Sequence, residues 1–482
     1  MKPLLVLTVA WWLVGCATEQ HTPADLLGAA PAPAVLRDLP PQVRAFIEQQ
    51  ERHAVVLAGK LGVKPDRATL EYFRLAREGR YRAASRIYQD LRERGGKVES
   101  PKHDPDLRLP LWDPLLEVQL VLDAYAAGAG PFATAIGEGI VQSIPPGSIY
   151  FGGTDTGRGL PAAFSRSHAD EDPFFTLTQN QLCDGQHLNY LRAAFGDKIQ
   201  VLSNEDSQQA FQEYLRDAQR RFEHDQLAPS EPRQLRPGED VKMVDGKPQV
   251  SGQVAVMALN GLLSKTLFDK NPDREFYVEE SFPLDWMYPH LTPHDLIMKI
   301  NRQPVTELTP EVIARDHEFW CQRQAEFIGS WLTSNTPVQE VCGFVERVFL
   351  RKDLRDFKGD KDFVRNDYAA AAYSKLRSSQ AGLYAWRAAN SKSTPERQRM
   401  IQAADFACRQ SFAFCPTNPE AVFRHVNLLV LNGRVDQALL IARTAARLRP
   451  AEKQLEHLVR ELERMKQKAA AVQGLDGSLG RQ

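Results

Sequence analysis

Between residues 144 and 305 the chain changes rhythm, and that change limits the folds open to it. Ser148-Ile149-Tyr150-Phe151-Gly152, Ile199-Gln200-Val201-Leu202, Glu275-Phe276-Tyr277-Val278-Glu279 and Leu296-Ile297-Met298-Lys299-Ile300 are short β-branched or aromatic runs bounded by turn residues, the pattern of strands. Helical periods lie between them. Leu188, Leu191 and Phe195 share a face ahead of Gly196, and Ser251 is placed to cap a helix carrying Val254, Met257, Ala258, Gly261 and Leu262. Strands alternating with helices of this length predict a central α/β domain over 144–305 with a mostly parallel sheet. The stretch 227–250, rich in Pro, Gly and charge, reads as a surface loop.

On either side the period is helical. An N-terminal helical segment is expected over 42–143, with helices at 41–61, 70–78 and 81–94. Residues 115–142 form two more, broken at Gly128-Ala129-Gly130-Pro131, and Asp113-Pro114 serves as N-cap and first turn. Thr309-Pro310-Glu311 opens a helical connector over 306–395, with Trp320, Phe327, Ile328 and Trp331 on one face. Residues 420–450 then lie without a gap on the tetratricopeptide pattern, the two-helix repeat. Gly433 stands at its turn, Ala438 and Ala445 where the helices touch, and Pro450 at its end. Ala404 and Pro416 stand 34 residues ahead of Ala438 and Pro450. The chain departs from the pattern at Val422, His425, Val426 and Ala442. The resemblance implies an all-α tetratricopeptide-like array over 396–471, closed by a charged capping helix, with a concave surface for a protein or peptide. The alternative is that these helices only brace the central domain. Residues 472–482 are expected to be a disordered tail.

The extreme N-terminus gives an address. Lys2, the apolar run 4–14 and Leu13-Val14-Gly15-Cys16 resemble a bacterial lipoprotein signal, too short to span a bilayer core of roughly 30 Å. The resemblance implies lipidation of Cys16, and Ala17 after it points to the outer membrane. Residues 17–41, rich in Ala and Pro, read as a flexible tether. Sixty basic residues balance 61 acidic ones, which excludes the charge footprint of a nucleic-acid binder. No zinc spacing, HExxH, phosphate loop or serine elbow occurs, so no cofactor or metal is expected. Cys183, Cys321, Cys342, Cys408 and Cys415 are odd in number and scattered, so no disulfide framework follows and most are expected to be buried thiols packing as small hydrophobes, although a Cys321–Cys342 or Cys408–Cys415 bridge stays open.

The best site candidate is the run from Ile144 to Arg158. A strand enters a glycine-rich loop there, so Gly152 and Gly153 expose backbone donors beside Asp155 and Arg158 at the strand's carboxyl end. The Arg158 fork suits a carboxylate, a phosphate or an acidic sugar. Glu279 and Glu280 leave a second strand on opposite faces. Over 145–302 this order resembles the soluble, periplasm-facing tail of polytopic bacterial membrane proteins of the protein O-mannosyltransferase-like class. It includes Gln179 and Gln181, then Asn271-Pro272-Asp273-Arg274 before the strand at 275–278. The membrane helices that carry the transferase chemistry of that class are absent from the sequence, so the resemblance extends to the fold of the tail. The residues point to a non-catalytic binding or scaffolding lipoprotein of the cell envelope. The alternative is a glycan-related enzyme or accessory factor with Asp155, Arg158 and Glu279 or Glu280 in its site. His168-Ala169-Asp170-Glu171-Asp172, the His290/His294 pair and Asp285-Trp286-Met287-Tyr288 are weaker candidates.

Overall fold

The computed structural model describes residues 33–479 apart from 99, 105–106, 108, 110, 154–155, 166–174, 245 and 280–282. The described residues through Val305 pack as one compact unit and those from Thr306 on as another. The expected signal, Cys16 and most of the tether lie outside the described residues.

In the first unit α1 (Pro41–Lys60) starts on a proline and buries Val43, Phe46, Ile47, Ala54 and Leu57 at helical spacing. α2 (Arg67–Arg77) is capped by Asp66, whose side chain accepts from the Thr69 N–H. The turn into α3 (Tyr81–Arg94) runs through Gly79 at φ +68°, where a Cβ would overlap the Leu36 carbonyl. α4 (Trp112–Ala126) is buried on nearly every side and α5 (Gly130–Ser143) follows it. Asp113 does not cap α4. The helix begins one residue earlier without a side-chain cap, and Asp113 is turned inward to His187.

The chain continues through β1 (Ile149–Gly152), α6 (Thr156–Phe164), β2 (Phe175–Thr178), α7 (Gly185–Phe195) and α8 (Asn204–Leu227). The hairpin β3 (Asp240–Val244) and β4 (Lys247–Ser251) leads to α9 (Gln253–Lys270), β5 (Phe276–Val278), β6 (Leu291–His294) and β7 (Ile297–Ile300). The main sheet has the order β2-β1-β5-β7-β6. β1 pairs in parallel with β2 and β5, while β5–β7 and β7–β6 are antiparallel, so the sheet is mixed where the sequence pattern predicted a mostly parallel one. The reason is a hairpin, β6–β7, that turns at Asp295 with φ 48°. Ile199-Gln200-Val201-Leu202 is not a strand. Both backbone groups of Gln200 are met by a side chain: Asn271 accepts from the Gln200 N–H and donates to its carbonyl. The supposed surface loop 227–250 holds β3 and most of β4, and Ser251 bonds Asp240 across that hairpin instead of capping α9.

The main sheet has two unlike faces. Ile149, Phe151, Phe175, Leu177, Phe276, Val278, Met298 and Ile300 make one apolar face by register. Tyr150, Gly152, Thr176, Thr178, Tyr277 and Lys299 fall on the other.

The second unit is helical throughout its described length. α10 (Pro310–Ile328), α11 (Val338–Val345) and the short α12 (Lys361–Arg365) precede the long hairpin α13 (Asp367–Asn390) and α14 (Thr394–Phe414). α15 (Pro419–Leu431) and α16 (Val435–Leu448) form a second hairpin around Gly433 at φ +74°, with Ala438 and Ala445 buried. α17 (Lys453–Leu479) runs through most of the expected tail. Phe327 stacks on Phe363 at 4.1 Å and meets Tyr373 and Phe414 in an aromatic core. α15 buries Ala421 to Val426 in unbroken sequence along with Leu428 and Leu429, so it packs on all sides and presents no open helix face.

A polar chain threads the contact of α10, α13 and α14. Arg377 Nη1 and Tyr384 Oη both donate to Asp316 Oδ2 at 2.7 Å. Arg377 Nε donates to Gln410, and Gln410 donates to Gln324. Beside it His317 lies against Phe406 and Tyr384. Burial, with the Arg377 charge added, pushes His317 down to about 4 from the ordinary 6.5. Between those values the unfolded chain takes up a proton that the folded chain refuses, so folding stability falls as pH drops from 6.5 towards 4. Urea midpoints at about pH 7.5 and about pH 5 should therefore differ in this direction, and His317→Phe should reduce the difference. An unchanged difference in the variant would locate the acid sensitivity elsewhere.

No helix among the described residues is long and apolar enough to cross a membrane. Cys183, Cys321, Cys342, Cys408 and Cys415 are free thiols, so neither bridge left open by the sequence forms.

Candidate functional site

β1 is the middle of the three parallel strands. The chain leaves it through α6 to β2 on one side and later returns as β5 on the other, which makes the β1/β5 boundary a topological switch point, where open α/β sheets form a crevice at the strand ends. Gly152 ends β1. Glu279 follows β5, and its N–H donates to the Phe151 carbonyl at 3.0 Å.

Two glycines let α6 sit down on this boundary. A Cβ at Gly152 would stand 2.7 Å from Arg158 Cβ, and one at Gly157 would overlap the Glu279 carboxylate. Glu279 is buried and occupies the space a side chain at 157 would take. The first turn of α6 therefore already faces an internal carboxylate. Tyr150 Oη donates to the Gly157 carbonyl at 2.6 Å and fixes the same turn from below. Gly157→Ala is expected to lower the urea midpoint at unchanged slope, by about 1–3 kcal/mol of overpacking, and Glu279→Ala in the same chain should recover part of it. No recovery would place the Glu279 carboxylate away from residue 157.

Arg158 lies inside the unit, fully buried. Its Nη2 donates to Glu117 Oε1 at 2.5 Å and lies 4.0 Å from Asp113 Oδ1, while its Nε and Nη1 are buried without an acceptor. Glu117 also accepts from Gln50 Nε2 at 2.8 Å and Tyr190 Oη at 3.2 Å. His187 Nδ1 is 2.7 Å from Asp113 Oδ1, and its Nε2 is buried with no partner. Burial pushes the Glu117 carboxyl up against the pull of Arg158. Burial works on Asp113 in the same direction, but His187 and Arg158 together outweigh it and hold Asp113 below the usual carboxylate range. Tyr190 is driven well up by burial and by Glu117.

Thr176 and Thr178 share the Gly152 face of the sheet. Both hydroxyls are buried without a partner, and Thr178 is the residue paired with Gly152. Around residues 152–158 the described residues thus include three buried carboxylates, one guanidinium, one imidazole and two idle hydroxyls. Acid outnumbers base there.

Of the residues singled out in the sequence, Gly152, Gly153, Arg158 and Glu279 come together at the switch point. Asp155, Glu280 and the 168–172 cluster lie outside the described residues. His290 and His294 do not converge: His290 Nδ1 meets the Asn301 carbonyl and His294 Nε2 the Ser143 carbonyl, each at 2.7 Å. Trp286 donates to Ser264 and packs on Phe268, bracing α9. Gln50, Asp113, Glu117, His187 and Tyr190 were missed. Only Asp113 and Glu117 carry a signal, standing four apart in α4, a helix that is otherwise mostly apolar. Among the described residues no group of three or more His, Cys, Asp or Glu is placed to hold a metal ion.

No family model, no curated protein and no solved structure matches this chain.

Proposed function

We propose that the protein is a lipid-anchored binding protein of the bacterial cell envelope, held at the outer membrane through Cys16, whose ligand site is the carboxyl end of β1, β2 and β5. The carrying observation is the set of buried polar groups left without partners there: Arg158 Nε and Nη1 and the hydroxyls of Thr176 and Thr178. Such groups cost about 1–3 kcal/mol each when unbonded, a cost that a ligand or bound water removes. The surplus of carboxylates favours a neutral, hydroxyl-rich ligand over an anion, because Asp113, Glu117 and Glu279 accept O–H donors and repel negative charge. A glycan fits that chemistry and the resemblance to the mannosyltransferase-like tail. Among the described residues of the cluster no nucleophile stands beside a base, so binding is preferred to catalysis.

Thermal unfolding in the presence of neutral saccharides tests this. A rise in midpoint with a neutral sugar, absent with inorganic phosphate, is expected. A rise with phosphate that Arg158→Lys weakens would overturn the neutral-ligand reading and restore an anionic one. Mass spectrometry of the mature N-terminus should find Cys16 acylated, and an unlipidated terminus elsewhere would remove the address.

A second reading keeps the C-terminal unit as a tetratricopeptide-like array that docks a protein or peptide. The 34-residue spacing and the buried Ala438 and Ala445 support it. Since α15 has no open face, docking on such an array would use α16 and α17.

A further inference from the structure

The N-terminal helices carry a surface that the sheet site does not use. On α1 the exposed stripe runs through Ala45, Glu48, Arg52, Val55, Val56 and Gly59, spaced to share one side of the helix. Val55 and Val56 are 50% and 56% exposed, and the following turn and α2 add Val63 at 36% and Leu70 at 40%. Single exposed apolar residues are ordinary, whereas four fall here within residues 55–70, on two helices that pack on each other and the turn between them.

Basic side chains accompany them. Lys60 donates to the Ala193 carbonyl, while Arg52, Lys64 and Arg67 make no ion pair among the described residues. Of the neighbouring acids, Asp66 caps α2, Glu51 pairs with Arg77, and Glu71 pairs with Arg74 while also feeling the Arg67 charge. Glu48, at the far end of the stripe, and the capping Asp66, between Lys64 and Arg67, are exposed carboxylates, so the cations Arg52, Lys60, Lys64 and Arg67 outnumber them by two.

We propose that this patch seats on anionic phospholipid of the membrane that holds Cys16. The inference rests on the lipoprotein reading for the identity of the membrane, and its physical warrant is charge complementarity. Aliphatic side chains entering the headgroup layer, with unpaired Lys and Arg around them, are the two contributions that hold a protein surface on an anionic bilayer. Reach permits it. The residues 17–40 span at most roughly 80 Å even fully extended, so an anchored body stays within that distance of the lipid surface.

The test uses the chain from Ala17 onward, which lacks the lipid and keeps every described residue, in flotation with vesicles. With about a third phosphatidylglycerol in phosphatidylcholine the protein should float, with pure phosphatidylcholine it should not, and added salt should release it. Lys64→Gln with Arg67→Gln should lower the partition roughly thirtyfold, at an unchanged thermal midpoint. Val55→Ser with Val56→Ser should lower it as well. Flotation that ignores lipid charge, or that neither pair of substitutions changes, would overturn the proposal, as would the absence of flotation on the anionic vesicles. Acylation of Cys16 in the native chain is read separately by mass spectrometry, so loss of the address and loss of the patch are distinguishable.

Discussion

Glu117→Leu is expected to destabilise the first unit by about 3–5 kcal/mol, because it leaves the fully buried Arg158 guanidinium without its bonded carboxylate. The same change removes the acceptor used by Gln50 and Tyr190, which adds to the loss. Arg158→Met in the Glu117→Leu chain should recover most of it, since a well-packed apolar pair replacing a buried ion pair is often neutral. Urea unfolding at constant slope reads both values, and the coupling between the two positions follows from the double-mutant cycle. A Glu117→Leu chain of unchanged midpoint would mean that Arg158 reaches solvent, and the site built on its burial would fall with it. If the cycle instead shows strong coupling and the double variant loses sugar binding while keeping its fold, the pair belongs to recognition as well as to packing.

The parts of this fold that sequence makes legible are those decided locally. Gly433 at a helix turn and Gly196 after α7 each satisfy or release backbone groups within a few residues, so their meaning survives without the rest of the chain. Strand status is not local. Ile199 to Leu202 has the composition of a strand, yet the side chain of Asn271 takes both backbone groups of Gln200 that a neighbouring strand would have bonded. Phe175 to Thr178 is a strand because β1 supplies a partner. The hairpin β6–β7 escaped because only its second half carried a hydrophobic run, and it alone changes a parallel sheet into a mixed one.

The site follows the same division. Gly152, Arg158 and Glu279 were visible because a glycine-rich turn and a strand end have local signatures. Asp113 reads as a cap because Asp before Pro is one, and the alternative, an inward carboxylate bonded to His187, depends on a residue 74 positions away. Charge inside an apolar helix was the available warning. Glu117 carried it as well.

The same warning appears in the second unit, where Asp316→Ala is expected to cost about 3–5 kcal/mol. Asp316 Oδ2 accepts from both Arg377 and Tyr384, and Arg377 is fully buried, so removing the carboxylate leaves a desolvated cation and a buried hydroxyl together. Asp316→Asn should cost less, since the amide oxygen still accepts, though it takes away the charge that faces Arg377. The contrast with the surface is the control. Arg443 and Glu463 are 2.6 Å apart but 54% and 38% exposed, and Glu463→Ala should leave the midpoint almost unmoved. If Asp316→Ala proved as mild as Glu463→Ala, water would have to reach Arg377 through the contact of α10, α13 and α14. The polar chain from Tyr384 to Gln324 would then be a hydrated channel and not a dry seam that holds three helices in register.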